Sequence, residues 1–146
     1  PVDTARVLEL GCSSGGNLVP VAVRHPGASV LGLDISGSHI ARGQAQVARL
    51  GLGNARLAEA DLMALDPATL GEFDYVVCHG LYSWIPVAAQ EAMFATIARV
   101  LAPEGVAYVS FNAYPGWKTR EVVRDAMLLH AEGKAAAPPA GAPMAP

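Results

Sequence analysis

Glu9, Gly11, Gly15 and Asp34 are the residues of this chain whose types and spacing promise chemistry. The first three sit in the run Val7-Leu8-Glu9-Leu10-Gly11-Cys12-Ser13-Ser14-Gly15-Gly16-Asn17, an apolar stretch that breaks into glycines; Asp34 follows one strand-like run later. An apolar strand that ends in glycines and opens a helix leaves backbone N–H groups for a ligand, and an acid closing the next strand is placed to accept from ribose hydroxyls. That pattern describes a site for a nucleotide-type cofactor.

Such a site needs a sheet to hold it. Short, nearly continuous apolar runs at 6–10, 29–33, 55–59, 75–78 and 106–111 read as strands buried on both faces. Helical patterns fall at 16–24, 38–50, 87–101 and 117–130, with Ser36 or Ser38 as a cap for the second and Ala102-Pro103-Glu104-Gly105 as the turn that ends the third. Strict alternation of strand and helix predicts an α/β, Rossmann-like, doubly wound and mostly parallel sheet, with its ligand crevice at the carboxyl ends of the strands. In the last helix Val122, Val123, Ala126, Met127 and Leu129 make an apolar stripe, expected to join the core, opposite Lys118, Arg120, Glu121, Arg124 and Asp125.

The chain has 146 residues, 52% hydrophobic, and a formal charge of -3, enough for one core. The mild acidity argues against a surface built for nucleic acid. No run reaches the roughly 18–20 apolar residues that span a bilayer, and no signal-peptide layout opens the chain, so a cytoplasmic protein without membrane contact is expected. Cys12 and Cys78 lack any CxxC or Cys/His spacing, so no metal site is expected and both are read as free thiols. The chain starts at Pro1 without Met and closes in an Ala/Pro-rich stretch at 135–146, which predicts a tail or linker after a cofactor-binding domain at 1–134, within a longer polypeptide.

The glycine turn Glu9-Leu10-Gly11-Cys12-Ser13-Ser14-Gly15 resembles the first motif of class I S-adenosylmethionine-dependent methyltransferases, acid-x-Gly-x-Gly-x-Gly, with Ser13 in the place of the middle glycine. Gly32-Leu33-Asp34-Ile35-Ser36, Ala60-Asp61-Leu62, Phe73-Asp74-Tyr75-Val76-Val77-Cys78-His79 and Leu101-Ala102-Pro103-Glu104-Gly105 resemble the later motifs in order. The resemblance implies S-adenosyl-L-methionine as cofactor, held by Glu9, Gly11, Cys12, Gly15, Asn17, Asp34, Ile35, Asp61, Leu62 and His79. Within that set it assigns the ribose hydroxyls to Asp34, a wall of the adenine to Ile35 and the adenine amino group to Asp61. Glu9 is costly inside an apolar strand unless partnered, and its expected work is to hold the turn and the cofactor's ammonium end. Asp34 and Asp61 also suit plain capping or turn roles.

Cys78-His79-Gly80-Leu81-Tyr82-Ser83-Trp84-Ile85-Pro86 and Ser110-Phe111-Asn112-Ala113-Tyr114-Pro115-Gly116-Trp117 resemble methyltransferases with a downstream methyltransferase regulatory domain, a group that includes rickettsial-type outer-membrane-protein lysine methyltransferases. That implies a sheet truncated before its final strand pair. Tyr82, Trp84, Asn112, Tyr114 and Trp117 follow the fourth and fifth strands, where such folds put the acceptor pocket. His79, Tyr82 and Tyr114 are the catalytic candidates, able to orient an amine or relay its proton, and Trp84, Asn112 and Trp117 the pocket candidates. The expected partner is a protein or small-molecule methyl acceptor. Competing expectations are a non-catalytic cofactor-binding domain and a nicotinamide oxidoreductase, whose G-x-G-x-x-G pattern meets Gly11, Ser13 and Gly16 here. His25, His39 and His130 are read as structural.

Overall fold

The runs marked above pair as one parallel sheet, but burial on both faces holds for its inner strands alone: the edge strand at 55–59 buries only Leu57, and the edge strand at 101–109 buries no residue fully. The computed structural model describes residues 2–135. Its strands are β1 (Arg6–Leu10), β2 (Ser29–Asp34), β3 (Ala55–Glu59), β4 (Phe73–Cys78) and β5 (Leu101–Val109), all parallel, in the order β3-β2-β1-β4-β5. The chain switches direction between β1 and β4. Leu8 pairs with Leu31 on one side and Val76 on the other, so β1 is central and its carboxyl end, Glu9-Leu10-Gly11, opens at that switch.

Helices α1 (Leu18–Arg24), α2 (Gly37–Arg49) and α3 (Val87–Val100) cover the two faces. Alternation along β1 sends Val7 towards Leu18, Ala22, Ile40 and Leu57, while Leu8 and Leu10 meet Met93, Ile97 and Val100 with Val76 and Cys78. Glu9 lies among these fully buried residues. On the α2 face the backbones come close: a Cβ on Gly43 would lie 2.5 Å from Leu57 Cδ2 and 2.8 Å from the Ser14 carbonyl oxygen. Gly43→Ala is therefore expected to lower stability by about 1–3 kcal/mol, read as an earlier urea midpoint with unchanged slope.

Strict alternation fails in one place. The expected helix between β3 and β4 is replaced by a single 3-10 turn, Pro67–Thr69, because Asp66 caps it through the Ala68 N–H, Pro67 cannot extend a helix backwards, and Gly71 takes φ +76°. The boundary before the fifth strand also differs. Leu101 closes α3, its N–H donating to Ile97, and already pairs with Phe73, whereas Val106 pairs with Tyr75. Ala102-Pro103-Glu104-Gly105 thus bulges out of a continuous strand opposite Asp74 rather than preceding it, as suits a segment whose proline has no N–H for the ladder.

Two compact units divide at Phe111 and Asn112. The second holds α4 (Lys118–Ala135). Its stripe does not form core as expected: Val122, Val123, Met127 and Leu129 are all more than 60% exposed, since one helix and the turn before it offer little to pack against. Of the predicted tail at 135–146, residues 136–146 lie outside the described residues.

Candidate cofactor site

A cavity of about 450 Å³ opens at the carboxyl ends of β1, β2 and β3. Gly11, Leu33, Asp34, Ile35, Asp61 and Leu62 line it, so five of the expected cofactor residues are brought together. Ala60 and Met63 flank Asp61 and Leu62 there, and the remaining wall comes from Leu81 and from Ile85, Pro86, Ala88 and Ala89 around the start of α3, which sequence reading did not assign to the site. The two alanines opening α3 are the one local sign, since small residues at a helix start leave room for a flat ligand. A Cβ at Gly11, whose φ is +75°, would come within 3.0 Å of Leu81, so glycine there lets this wall approach.

The turn is held more tightly than its glycines suggest. The Gly11 and Cys12 amides both donate to the Leu33 carbonyl, at 2.8 and 3.0 Å, and Gly15 donates to Cys12 at 2.8 Å. These donors are taken up by the fold, where uncovered amides were expected. Ser13 adopts φ +51°, the left-handed conformation for which the motif's glycine is suited, and its N–H donates to Asp34 Oδ2 at 2.8 Å. Ser36 caps α2 by accepting from the His39 N–H, and its own N–H donates to Asp34 Oδ1 at 2.9 Å. Asp34 is thereby oriented by two backbone donors, one to each oxygen, and each oxygen retains a lone pair. An acceptor-only group fixed in this way suits a ligand that brings two hydroxyls. Asp61 accepts from the Met63 N–H at 2.9 Å, the turn role that its position also allowed.

Beneath the turn, Glu9 Oε1 accepts from Asn17 Nδ2 at 2.7 Å, while Oε2 is buried without a hydrogen-bond partner. Burial pushes the Glu9 carboxyl above its ordinary range, against the pull of Asn17 and of the nearby His79. A buried carboxylate oxygen lacking a donor fits a ligand with a cationic nitrogen. Gly15 packs against Leu57 and Val19, and the Cys12 thiol lies over Gly32, so these two support the turn from inside. Both cysteines are free and buried, and burial lifts each thiol to about 12. At pH 8 only about one thiol in ten thousand would be ionised, so maleimide labelling of the native protein is expected to run at least about a hundredfold slower than in urea.

His79 follows β4, where its Nδ1 lies 3.3 Å from Ser110 Oγ and its ring stacks on Tyr108 at 6.1 Å. Gly80 N–H donates to the same hydroxyl at 2.8 Å. The Tyr82 ring makes edge contacts with Phe94 and Phe111, and so joins an aromatic cluster outside the cavity lining. Trp84 is 62% exposed. In the second unit, Tyr114 donates to the Glu121 carboxylate, which holds its hydroxyl above and the carboxyl below their ordinary ranges. Lys118 lies over the Tyr114 ring and Arg120 over Trp117; Asn112 is exposed. Among the described residues no cluster of His, Cys, Asp or Glu could hold a metal ion, and no helix is long and apolar enough to cross a membrane.

A family model described as a methyltransferase domain matches residues 7–105. The structure of PKMT2 from Rickettsia typhi in complex with AdoHcy superposes with a TM-score of 0.82 at 35% identity, over 91% of this chain and 25% of that one. An uncharacterised protein of Rickettsia prowazekii is 40% identical over 88% of this chain and 23% of its own length. A trans-aconitate 2-methyltransferase of Paracidovorax citrulli is 32% identical over 91% of this chain and 50% of its own. The chain thus spans between about a quarter and a half of the length of these relatives.

Proposed function

The chain belongs to the methyltransferase domain family, and on that footing we propose that it carries the cofactor half of an enzyme that methylates an amine, such as a protein lysine, from S-adenosyl-L-methionine. The observation that carries this reading is the pairing of a backbone-pinned Asp34 at the cavity with a buried Glu9 oxygen that lacks a donor beneath the same turn. Asp34 takes the ribose hydroxyls. Ile35 and Leu62 give the adenine apolar contact, Asp61 its amino-group partner, and Glu9 with Asn17 the ammonium end; Gly11, Cys12 and Gly15 shape the turn. When bound, S-adenosyl-L-methionine supplies a methyl group on an electrophilic sulfonium, which reacts readily once the acceptor is aligned.

An ammonium acceptor must first lose a proton. His79, its Nδ1 bonded to Ser110 Oγ, would receive that proton at Nε2, and Tyr82 and Trp84 would suit an amine through cation–π attraction. A second reading, a small carboxylate acceptor, is favoured by the trans-aconitate methyltransferase relative.

Incubating the complete polypeptide with methyl-labelled cofactor and a fractionated lysate tests both. Label on protein lysines supports the first reading and label on small acids the second. Tight S-adenosylhomocysteine binding with no transfer to any fraction would overturn both in favour of a non-catalytic domain, and preference for NADH would overturn the cofactor assignment.

A further inference from the structure

Four hydrogen bonds close a ring around the carboxylate that faces the cavity. Ser13 N–H donates to Asp34 Oδ2 at 2.8 Å, Ser13 Oγ meets His39 Nδ1 at 3.3 Å, His39 N–H donates to Ser36 Oγ at 3.4 Å, and Ser36 N–H donates to Asp34 Oδ1 at 2.9 Å. Three of these links use backbone donors, onto the side chains of Asp34 and Ser36. The fourth is the side-chain pair Ser13–His39, and it depends on the two residues that stand there.

Ser13 occupies the place where the turn motif has glycine, and it does so at φ +51°, a conformation strained for a residue with a Cβ. A glycine would relieve that strain but would leave the turn without a handle on α2. The hydroxyl supplies one, because His39 lies in the first turn of α2 and presents Nδ1 towards it. The same Ser13 whose amide orients Asp34 is thereby tethered on its other side. The imidazole touches no other side chain within hydrogen-bond reach among the described residues, so its bond to Ser13 is its visible role.

We propose that Ser13 and His39 act as a positioning pair, which fixes the Ser13 amide against Asp34 and so tightens the protein's hold on the vicinal hydroxyls of the cofactor's ribose. The pair acts through Asp34 and needs no contact with the ligand. The inference rests on the proposed cofactor reading.

Calorimetric titration of the complete polypeptide with S-adenosylhomocysteine and with its 2′,3′-dideoxy counterpart tests it. Ser13→Ala and His39→Ala are each expected to weaken S-adenosylhomocysteine about fivefold, the effect of one net hydrogen bond. The double variant should bind no more weakly than either single one, and His39→Asn, whose amide can stand where Nδ1 stood, should restore most of the affinity. The dideoxy compound should bind all variants nearly alike, because both hydroxyls that Asp34 reads are missing. Unchanged affinity in His39→Ala, additive losses in the double variant, or equal losses for both ligands would overturn the pair's role, the last marking a merely structural effect. No binding of either ligand by the unaltered protein would overturn the cofactor reading and this inference with it.

Discussion

Asp34→Asn is expected to weaken S-adenosylhomocysteine binding about 100-fold, close to 2.7 kcal/mol, while leaving the sheet folded. The carboxylate accepts on both oxygens from backbone N–H groups that cannot turn away, Ser13 on one side and Ser36 on the other. An asparagine can accept on one side alone. Its amide would point two hydrogens at a third, or the side chain would rotate out of the cavity, and either outcome removes the fixed acceptor that a diol needs. The loss should fall on affinity far more than on the thermal midpoint, because Asp34 is only half-buried and lies at the end of its strand. Wild-type affinity in this variant would remove the ribose role.

Glu9→Gln is expected to do the opposite to stability. Glu9 is 1% exposed, and its Oε2 has no partner, so the ionised form is disfavoured in the folded chain and its carboxyl lies above the ordinary range. An acid raised in this way holds its proton more tightly folded than unfolded. Its contribution to stability is therefore full below its unfolded value and is lost as the pH rises through the folded one. The neutral amide should match the parent near pH 4 and exceed it near pH 8 by about 1–3 kcal/mol, the range for relieving an unsatisfied buried group. The same change should weaken S-adenosylhomocysteine about tenfold near pH 8, since the ammonium end would lose its anion. Equal stability curves at both pH values would show that Glu9 finds a donor within the protein.

The two outcomes together describe a common arrangement, in which a group that destabilises the empty fold is retained because a ligand completes it. That was partly legible in the amino-acid order. A charged residue at the second-last place of an apolar strand is conspicuous, and Asp34 closing the next strand follows the same logic. Strands 6–10 and 55–59 are found to the residue, the first because burial on both faces makes its run apolar; the second lies at the sheet edge and buries Leu57 alone. The segment after β3 misleads. Alternation of strand and helix called for a helix there, and Asp66-Pro67 with Gly71 prevents one, leaving Leu62, Leu65 and Leu70 to pack on the core from a turn-rich connection.

What stayed hidden depends on meetings between distant residues. His39 has no constellation in its own stretch of chain, yet it reaches Ser13, 26 positions away. Leu81 and the first turn of α3 wall the cavity because β4 lies next to β1 in the sheet, a neighbour relation that no local pattern records. The α4 stripe shows the limit from the other side: periodicity marks which residues share a face, but burial needs something to face.

Because the Leu33 carbonyl accepts from two successive amides, the glycine turn can part from β2 only by releasing both donors at once. The turn and the strand behind it consequently breathe as one unit. Isotope exchange at positions 11 and 12 should share a single opening rate, and any molecule that settles against Asp34 should slow both by the same factor.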